Sequence, residues 1–337
     1  MILHNVYEEK EINKKIILRM GNVIGLAFLI GNIFNELVLQ IISCFYYVTG
    51  ENIFANDGIA WAYQIIMSTV IFILPFSAAT PFLNVRLGAV CDLSKPRKGT
   101  FLPTIFMGLG FMMFANFLSG ILNNFFTKIG LSNETYLSSD ASNGFLIPFI
   151  ALIAGSVLPA FIEEFSLRGV VFGTLRRYGI SFAIISSAIL FGIMHKNIFQ
   201  IPFAFIVGLF LGFATYKTGT MWTAIAIHLV NNFFAHLLEV VSQLVGERNF
   251  IFVNYAYMAV ALLLGFVGLL MATKLGDYFK IPTENQKTEL SLSEKLKAFF
   301  ASPGIVIYII YIVYKIITTH FGAFAYIVSL IHGQGGV

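Results

Sequence analysis

Charge is scarce in this chain of 337 residues: Asp, Glu, Lys and Arg together make up 11%. A soluble domain carries about 25%, so a water-facing globular surface is excluded. Cysteine is nearly absent, with only Cys44 and Cys91. One falls in an apolar run and the other in a predicted cytoplasmic loop, so no disulfide is expected between them. They also lack metal-ligand spacing. The first apolar stretch is too long for a signal-peptide core of about 7–15 residues and has no small-residue cleavage pattern, so no cleavable leader is expected. The chain has no His-Glu-x-x-His zinc-protease helix, no low-complexity tract and no internal repeat. Inverted repeats, which mark many transporters, are missing with them.

Apolar length is what the chain has in abundance. Hydrophobic residues reach 58%, and the mean hydropathy is +0.83. Runs near the roughly 20 residues needed to cross a bilayer recur at 21–48, 59–82, 101–127, 144–177, 181–197, 199–216, 220–243, 250–273 and 304–331. The fourth is too long for a simple span and must tilt, kink at Pro159 or run past the interface. The fifth and sixth are short and separated by Lys196, Asn197, Gln200 and Pro202. The expected fold class is an all-α polytopic membrane protein with about eight or nine transmembrane helices. Its expected organisation is N-terminal helices over 1–143, a core over 144–243, and C-terminal helices over 244–337 with a cytoplasmic linker at 274–303.

The charges that remain alternate along the chain. Lys10, Lys14, Lys15 and Arg19 precede the first run, and Arg86, Lys95, Arg97 and Lys98 fill the second connection. Arg168, Arg176 and Arg177 flank the fourth run, Lys217 follows the sixth, and Lys274, Lys280, Lys287, Lys295 and Lys297 follow the eighth. The intervening loops hold Lys128, Lys196 and Arg248 among the acids Glu51, Asp57, Glu134, Asp140 and Glu247. This alternation places the N-terminus in the cytoplasm. It also accounts for the net charge of +4 without nucleic acid as a partner. The sequon Asn133-Glu134-Thr135 is given no weight.

Several polar residues read as structural. Asn22, Asn32, Asn35 and Glu36 in the first run and Asn116 in the third are expected to make interhelical hydrogen bonds. Lys315, Thr318 and His320 mark the last run as packed or interrupted. Trp61, Tyr46 and Tyr47 fit interface anchors. Within the linker, Ser291-Leu-Ser-Glu294 has the form of a capping box. The residues Leu292, Leu296, Phe299 and Phe300 could give a short interfacial helix its apolar face; a solvated linker is the equal alternative.

Glu163 and Glu164 do not fit that pattern. They sit in one of the most apolar stretches of the chain, where an ionisable residue costs about 2.5 kcal/mol or more and points to function. Residues four apart share a helix face, so Glu164 can pair with Arg168. Glu163 points about 100° away and is left without that partner. If Gly179 marks the next turn, Glu163 lies sixteen residues before it and His195 sixteen after it. Both then sit roughly 24 Å along antiparallel helices. His228 and Asn232, four apart, fall roughly 12 and 18 Å along the seventh helix. A carboxylate, two imidazoles and a carboxamide thereby reach one level from three helices. His236 is one turn beyond Asn232 and is a lesser candidate for the same cavity.

Such a set suits hydrolysis of an amide bond in a sheltered cavity. A carboxylate can take a proton from water while a histidine positions that water, and an amide or imidazole N–H can stabilise an oxyanion. Two histidines and a carboxylate are also a known zinc set, so a metal remains open at this level. The rival readings are a transporter with Glu163 as its proton site and a non-catalytic membrane interaction protein.

Three motifs carry a resemblance to a known family. Glu163-Glu164-Phe-Ser-Leu-Arg168 resembles the EExxxR motif of the CPBP family of type II CAAX prenyl proteases and bacteriocin-processing membrane proteins. Phe191-Gly-Ile-Met-His195 matches its FxxxH motif, and His228-Leu-Val-Asn-Asn232 its HxxxN motif. The match spans about 145–243, the family's catalytic core. The resemblance implies an intramembrane endopeptidase acting on a membrane-associated peptide or protein within the lipid bilayer. Compact loops and few cysteines point to a bacterial plasma membrane. The resemblance also implies that Glu163 activates water with help from His195, that His228 and Asn232 stabilise the oxyanion, and that Glu164 and Arg168 support the site. No cofactor is expected, because glutamate plus amide is an odd ligand set; zinc is the alternative. The family also implies a second possibility, a bacteriocin self-immunity protein that works by binding.

Overall fold

The computed structural model describes residues 2–131, 149–150, 152–281 and 288–320. The sequon, Asp140, Lys287, the start of the fourth apolar run and the end of the ninth lie outside the described residues. Among those described, helices form the whole architecture and no strand occurs. The long helices are α1 (Ile2–Thr49), α2 (Asp57–Ala79) and α3 (Phe101–Lys128). A composite segment follows, with α4 (Leu158–Glu164) between π-helical turns at Ile153–Val157 and Phe165–Phe172. Then come α5 (Ile180–Ile193), α6 (Ile201–Thr218), α7 (Met221–Thr273), α8 (Leu292–Phe300) and α9 (Pro303–His320).

Helix α7 is two helices. Gly246 interrupts it with φ of 73° and ψ of 160°, a conformation glycine reaches without a Cβ penalty. Close packing shows that the arms fold back on each other. Ile227 of the first arm lies against Gly108 of α3, and Gly265 of the second lies against Gly110. Both residues are nineteen from Gly246. Phe234 and Tyr257 stack across the hairpin with ring centroids 5.0 Å apart.

Among the described residues, six helices are long and apolar enough to cross a membrane: α1, α2, α3, α6 and the two arms of α7. The pair α8–α9, bent by 68°, counts as a seventh if taken as one span. This is a polytopic all-α membrane protein, and these six or seven spans compare with nine apolar runs, of which the fourth and ninth extend beyond the described residues. The difference lies in the fourth and fifth runs. Helix α5 has 14 residues, about 21 Å at 1.5 Å per residue, against a hydrocarbon core of about 30 Å. The fourth run is broken by its π-helical turns. Both are interior elements: the stretch Ser166–Phe172 is wholly buried, as are Ser186, Ser187, Leu190 and Phe191 of α5. Their apolarity serves protein packing as well as lipid.

The outer helices are tied to each other by polar contacts, as expected of their asparagines. Asn22 Oδ1 accepts from Gly304 N at 2.7 Å, and Asn35 Oδ1 accepts from the Tyr63 hydroxyl at 2.8 Å. Glu36 receives the Tyr311 hydroxyl at 3.0 Å and pairs with Lys315 at 3.0 Å. The interruption of the last run by Lys315 is thus a cross-bundle ion pair. Asn32 Oδ1 accepts from Lys196 Nζ at 2.9 Å, which fastens α1 to the turn bearing His195. Asn116 breaks the pattern, as described below.

Helix α8 begins with the expected capping box, in which Ser291 Oγ accepts from Glu294 N and Glu294 accepts from Ser291 N. Its apolar face is turned to the protein: Phe299 is fully buried, with its ring 5.8 Å from Phe182 of α5. The helix therefore docks on α1 and α5, and the solvated-linker alternative falls. Cys44 and Cys91 are both free thiols.

A Cβ at Gly265 would collide with the Gly110 backbone, and small residues are what allow membrane helices to approach this closely. Gly265→Leu is expected to separate α3 from α7 and to cost about 1–3 kcal/mol. Thermal unfolding in detergent should show a lowered midpoint, while a substitution at exposed Leu263 should not.

Candidate active site

The site grows from the irregular fourth segment. π-Turns are rare and concentrate at functional sites, and here one lies on each side of Leu158–Glu164. Pro159 stands at the start of α4, where its missing N–H costs nothing. The two glutamates end the short α-helical turn, and their side chains part as the helical period requires.

Glu164 is fully buried and makes two bonds through one oxygen. Its Oε1 accepts from Arg168 Nη1 at 3.0 Å and meets His228 Nδ1 at 2.9 Å. Arg168 is fully buried as well. Its Nη2 donates to Gly208 O on α6 at 3.2 Å, and its guanidinium lies over the Phe191 ring, 4.5 Å from the centroid. The cation is thus held by a carboxylate, a carbonyl and an aromatic face at once, a geometry that the planar guanidinium suits and an ammonium does not.

The arrangement fixes the histidine tautomer. A carboxylate that accepts from Arg168 is an acceptor, so His228 Nδ1 carries the proton that Glu164 receives. The other nitrogen, His228 Nε2, then faces Glu163 Oε2 at 3.8 Å. That distance is too long for a hydrogen bond, and Glu163 Oε2 is buried without a hydrogen-bond partner.

Glu163 lines a cavity of about 470 Å³ together with His195, His228 and Asn232. The structure therefore brings all four candidate residues into one space, from α4, the turn after α5, and α7. Gly179, with φ of 142°, is the turn from which the helical count starts. His195 sits just past the end of α5 in a turn where Lys196 has φ of 56°. The ring of Phe191, one turn earlier, meets His195 at 5.4 Å and His228 at 5.6 Å, both edge-on. Phe191 thus spaces the two imidazoles while carrying the Arg168 cation.

Glu164 and Arg168 stand behind this cavity, and neither belongs to its lining. His236 does line it, packed on Gly155, with Nδ1 3.5 Å from Glu239. Sequence reasoning missed others. Trp61, expected at a membrane interface, lines the cavity with Gln64 of the same helix and Gln200. Asn231 lines it too, and its Nδ2 donates to Asn232 Oδ1 at 3.1 Å. That bond leaves the Asn232 amino group available to a ligand. Polar residues in apolar runs were the only signal for Gln64, Gln200 and Asn231.

Among the described residues, no three His, Cys, Asp or Glu side chains come together in a group that could hold a metal. Glu164 is already committed to Arg168 and His228.

Removing the cation exposes how the site is held. Arg168→Leu leaves the Glu164 charge uncompensated and should cost about 3–5 kcal/mol, read as a lowered unfolding midpoint. The pair Glu164→Leu with Arg168→Met should recover much of that loss, since replacing a whole buried ion pair by apolar groups is often neutral.

Comparison with known proteins agrees with the three motifs. Residues 145–234 match the family described as type II CAAX prenyl endopeptidase, Rce1-like. The protein named "Putative membrane peptidase YdiL" of Bacillus subtilis (strain 168) is 24% identical over 205 residues, covering 60% of this chain and 79% of that one. No solved structure matches the chain. Residues 145–234 of this membrane protein, the stretch similar to that family, hold Glu163, Glu164, Arg168, His195, His228 and Asn232.

Proposed function

We propose that this protein is an intramembrane endopeptidase in which Glu163 activates water for hydrolysis of a peptide bond. The observation that carries the reading is a buried carboxylate oxygen with no hydrogen-bond partner, facing a cavity that it shares with two imidazoles and a carboxamide. The Rce1-like match over 145–234 and the name of the Bacillus relative support a protease.

In this mechanism the Glu163 carboxylate takes a proton from a water molecule as the water oxygen adds to the scissile carbonyl. His195, across the cavity, orients that water. The oxyanion that forms receives the Asn232 Nδ2 hydrogen, which the Asn231 bond leaves free. His228, whose Nδ1–H is held by the Glu164 carboxylate, turns Nε2 toward the same space and is the second donor once that nitrogen carries a proton. Collapse of the tetrahedral intermediate breaks the C–N bond, and Glu163 returns its proton to the leaving amine. Glu164 thus acts through His228, and Arg168 holds the Glu164 carboxylate in place.

The substrate is a membrane-associated peptide or protein. Prenylated CAAX proteins, leader peptides and other membrane segments share the required chemistry, an amide bond presented at membrane depth. The N-terminus lies in the cytoplasm on the distribution of Lys and Arg, and the compact loops suit a bacterial plasma membrane.

The purified protein in lipid nanodiscs, offered a peptide library, is expected to cleave a subset of it. Glu163→Gln, His195→Ala and Asn232→Ala should each lower kcat by roughly 10²-fold or more while membrane insertion is unchanged. Chelators should leave the rate unaltered; a loss restored by zinc would overturn the metal-free mechanism. Function that survives all three substitutions would favour a binding role over peptidase activity.

A further inference from the structure

A second cavity, of about 360 Å³, adjoins the first. Phe203, Asn231 and Ala235 line both, so these residues form the partition between them. Asn231 and Ala235 are one helical turn apart on the first arm of α7. The far walls belong to α3, through Asn116, and to the second arm of α7, through Asn254 and Tyr257. Both asparagines lie outside the matched family region.

Polar groups in this cavity differ from the carboxamides of α1. Asn22, Asn32 and Asn35 each bond to another helix or to the turn after α5. Asn116, which is exposed, and Asn254, which is half-buried, bond to no described residue. Asn231 gives one hydrogen to Asn232 and keeps its carbonyl oxygen for the partition. Carboxamides at membrane depth are normally satisfied within the protein. Three of them facing one space beside a catalytic cavity therefore point to a polar guest.

The guest's chemistry follows from the reaction. A peptide bond is attacked when its backbone is extended and bare, and a bare backbone at membrane depth must find hydrogen-bond partners. A carboxamide both donates and accepts, so it matches a peptide group on both sides. We propose that the second cavity is a subsite for the extended backbone of the peptide substrate on one side of the cleaved bond. Asn116 and Asn254 bond its peptide groups, and Asn231 stands at the threshold beside the oxyanion donor Asn232. This inference rests on the peptidase reading of the first cavity.

The test separates the two. The probe is a fluorescein-labelled pool of unstructured apolar peptides, offered to full-length protein in nanodiscs. Binding is measured on the Glu163→Gln form, and KM and kcat on the Glu163 form with whichever peptides it cuts. Asn116→Leu and Asn254→Leu are expected to weaken binding and raise KM by roughly three- to tenfold each, with kcat within about twofold. The corresponding alanine variants should repeat the effect where leucine disturbs packing.

Unchanged binding and KM in all four variants would overturn the subsite while leaving Glu163-dependent cleavage standing. A fall in kcat with binding unchanged would also overturn it, because it would make the cavity a water path. If no peptide is cut but binding still depends on Asn116 and Asn254, the peptidase reading fails and the subsite falls with it, leaving a peptide-binding cavity with no cleaved bond beside it. Absence of any peptide binding overturns the subsite.

Discussion

A single carboxylate oxygen, Glu164 Oε1, joins the parts of this site that must be held together. It binds Arg168 at 3.0 Å along its own helix and His228 at 2.9 Å across to α7. Neither charged partner could stay in an apolar interior alone, because breaking a buried pair leaves an uncompensated charge. Together they are tolerable, and their mutual geometry is rigid. Arg168 extends the lock to α6 through Gly208 and to α5 through the face of Phe191. Three helices and the segment bearing the glutamates are thereby fixed around one ion pair. The proposed catalytic geometry in front inherits that rigidity, which is what positioned acid–base chemistry needs.

The two glutamates divide the work because their environments differ. Glu164 has its charge matched and is closed off. Both have a buried Oε2 without a hydrogen-bond partner, but Glu163 alone of the two lines the polar cavity. The π-turns on both sides of Leu158–Glu164 let this short segment depart from a regular span and sit in the interior. The outer helices contribute from a distance. Lys196, next to His195, is fastened to Asn32 of α1, and α1 is fastened through Glu36 to Lys315 of α9. The turn that carries His195 is thus anchored by helices outside the Rce1-like region.

The all-helical class was legible from composition and run length, and the Glu164–Arg168 pair from spacing of four. The convergence of Glu163, His195, His228 and Asn232 on one space was legible from helix rise, because the turn at Gly179 lies where the count assumed. The interior place of α5 was not, because apolar residues on it face protein and not only lipid, and hydropathy cannot separate the two. The Glu164–His228 bond was hidden for another reason: it joins residues 64 apart, and no local periodicity encodes such a contact. Trp61 shows the same limit, since an aromatic near a helix start reads as an interface anchor until its neighbours are known. Asn116 was read as a helix–helix contact, and it faces a cavity.

The most direct test of this account is the protonation of one imidazole. Nitrogen-15 NMR of His228, in protein labelled at histidine and held in nanodiscs at neutral pH, distinguishes its two ring nitrogens. The account predicts a proton on Nδ1, in a strong hydrogen bond whose signature disappears in Glu164→Gln. A neutral ring bearing its proton on Nε2, unaffected by that substitution, would contradict it.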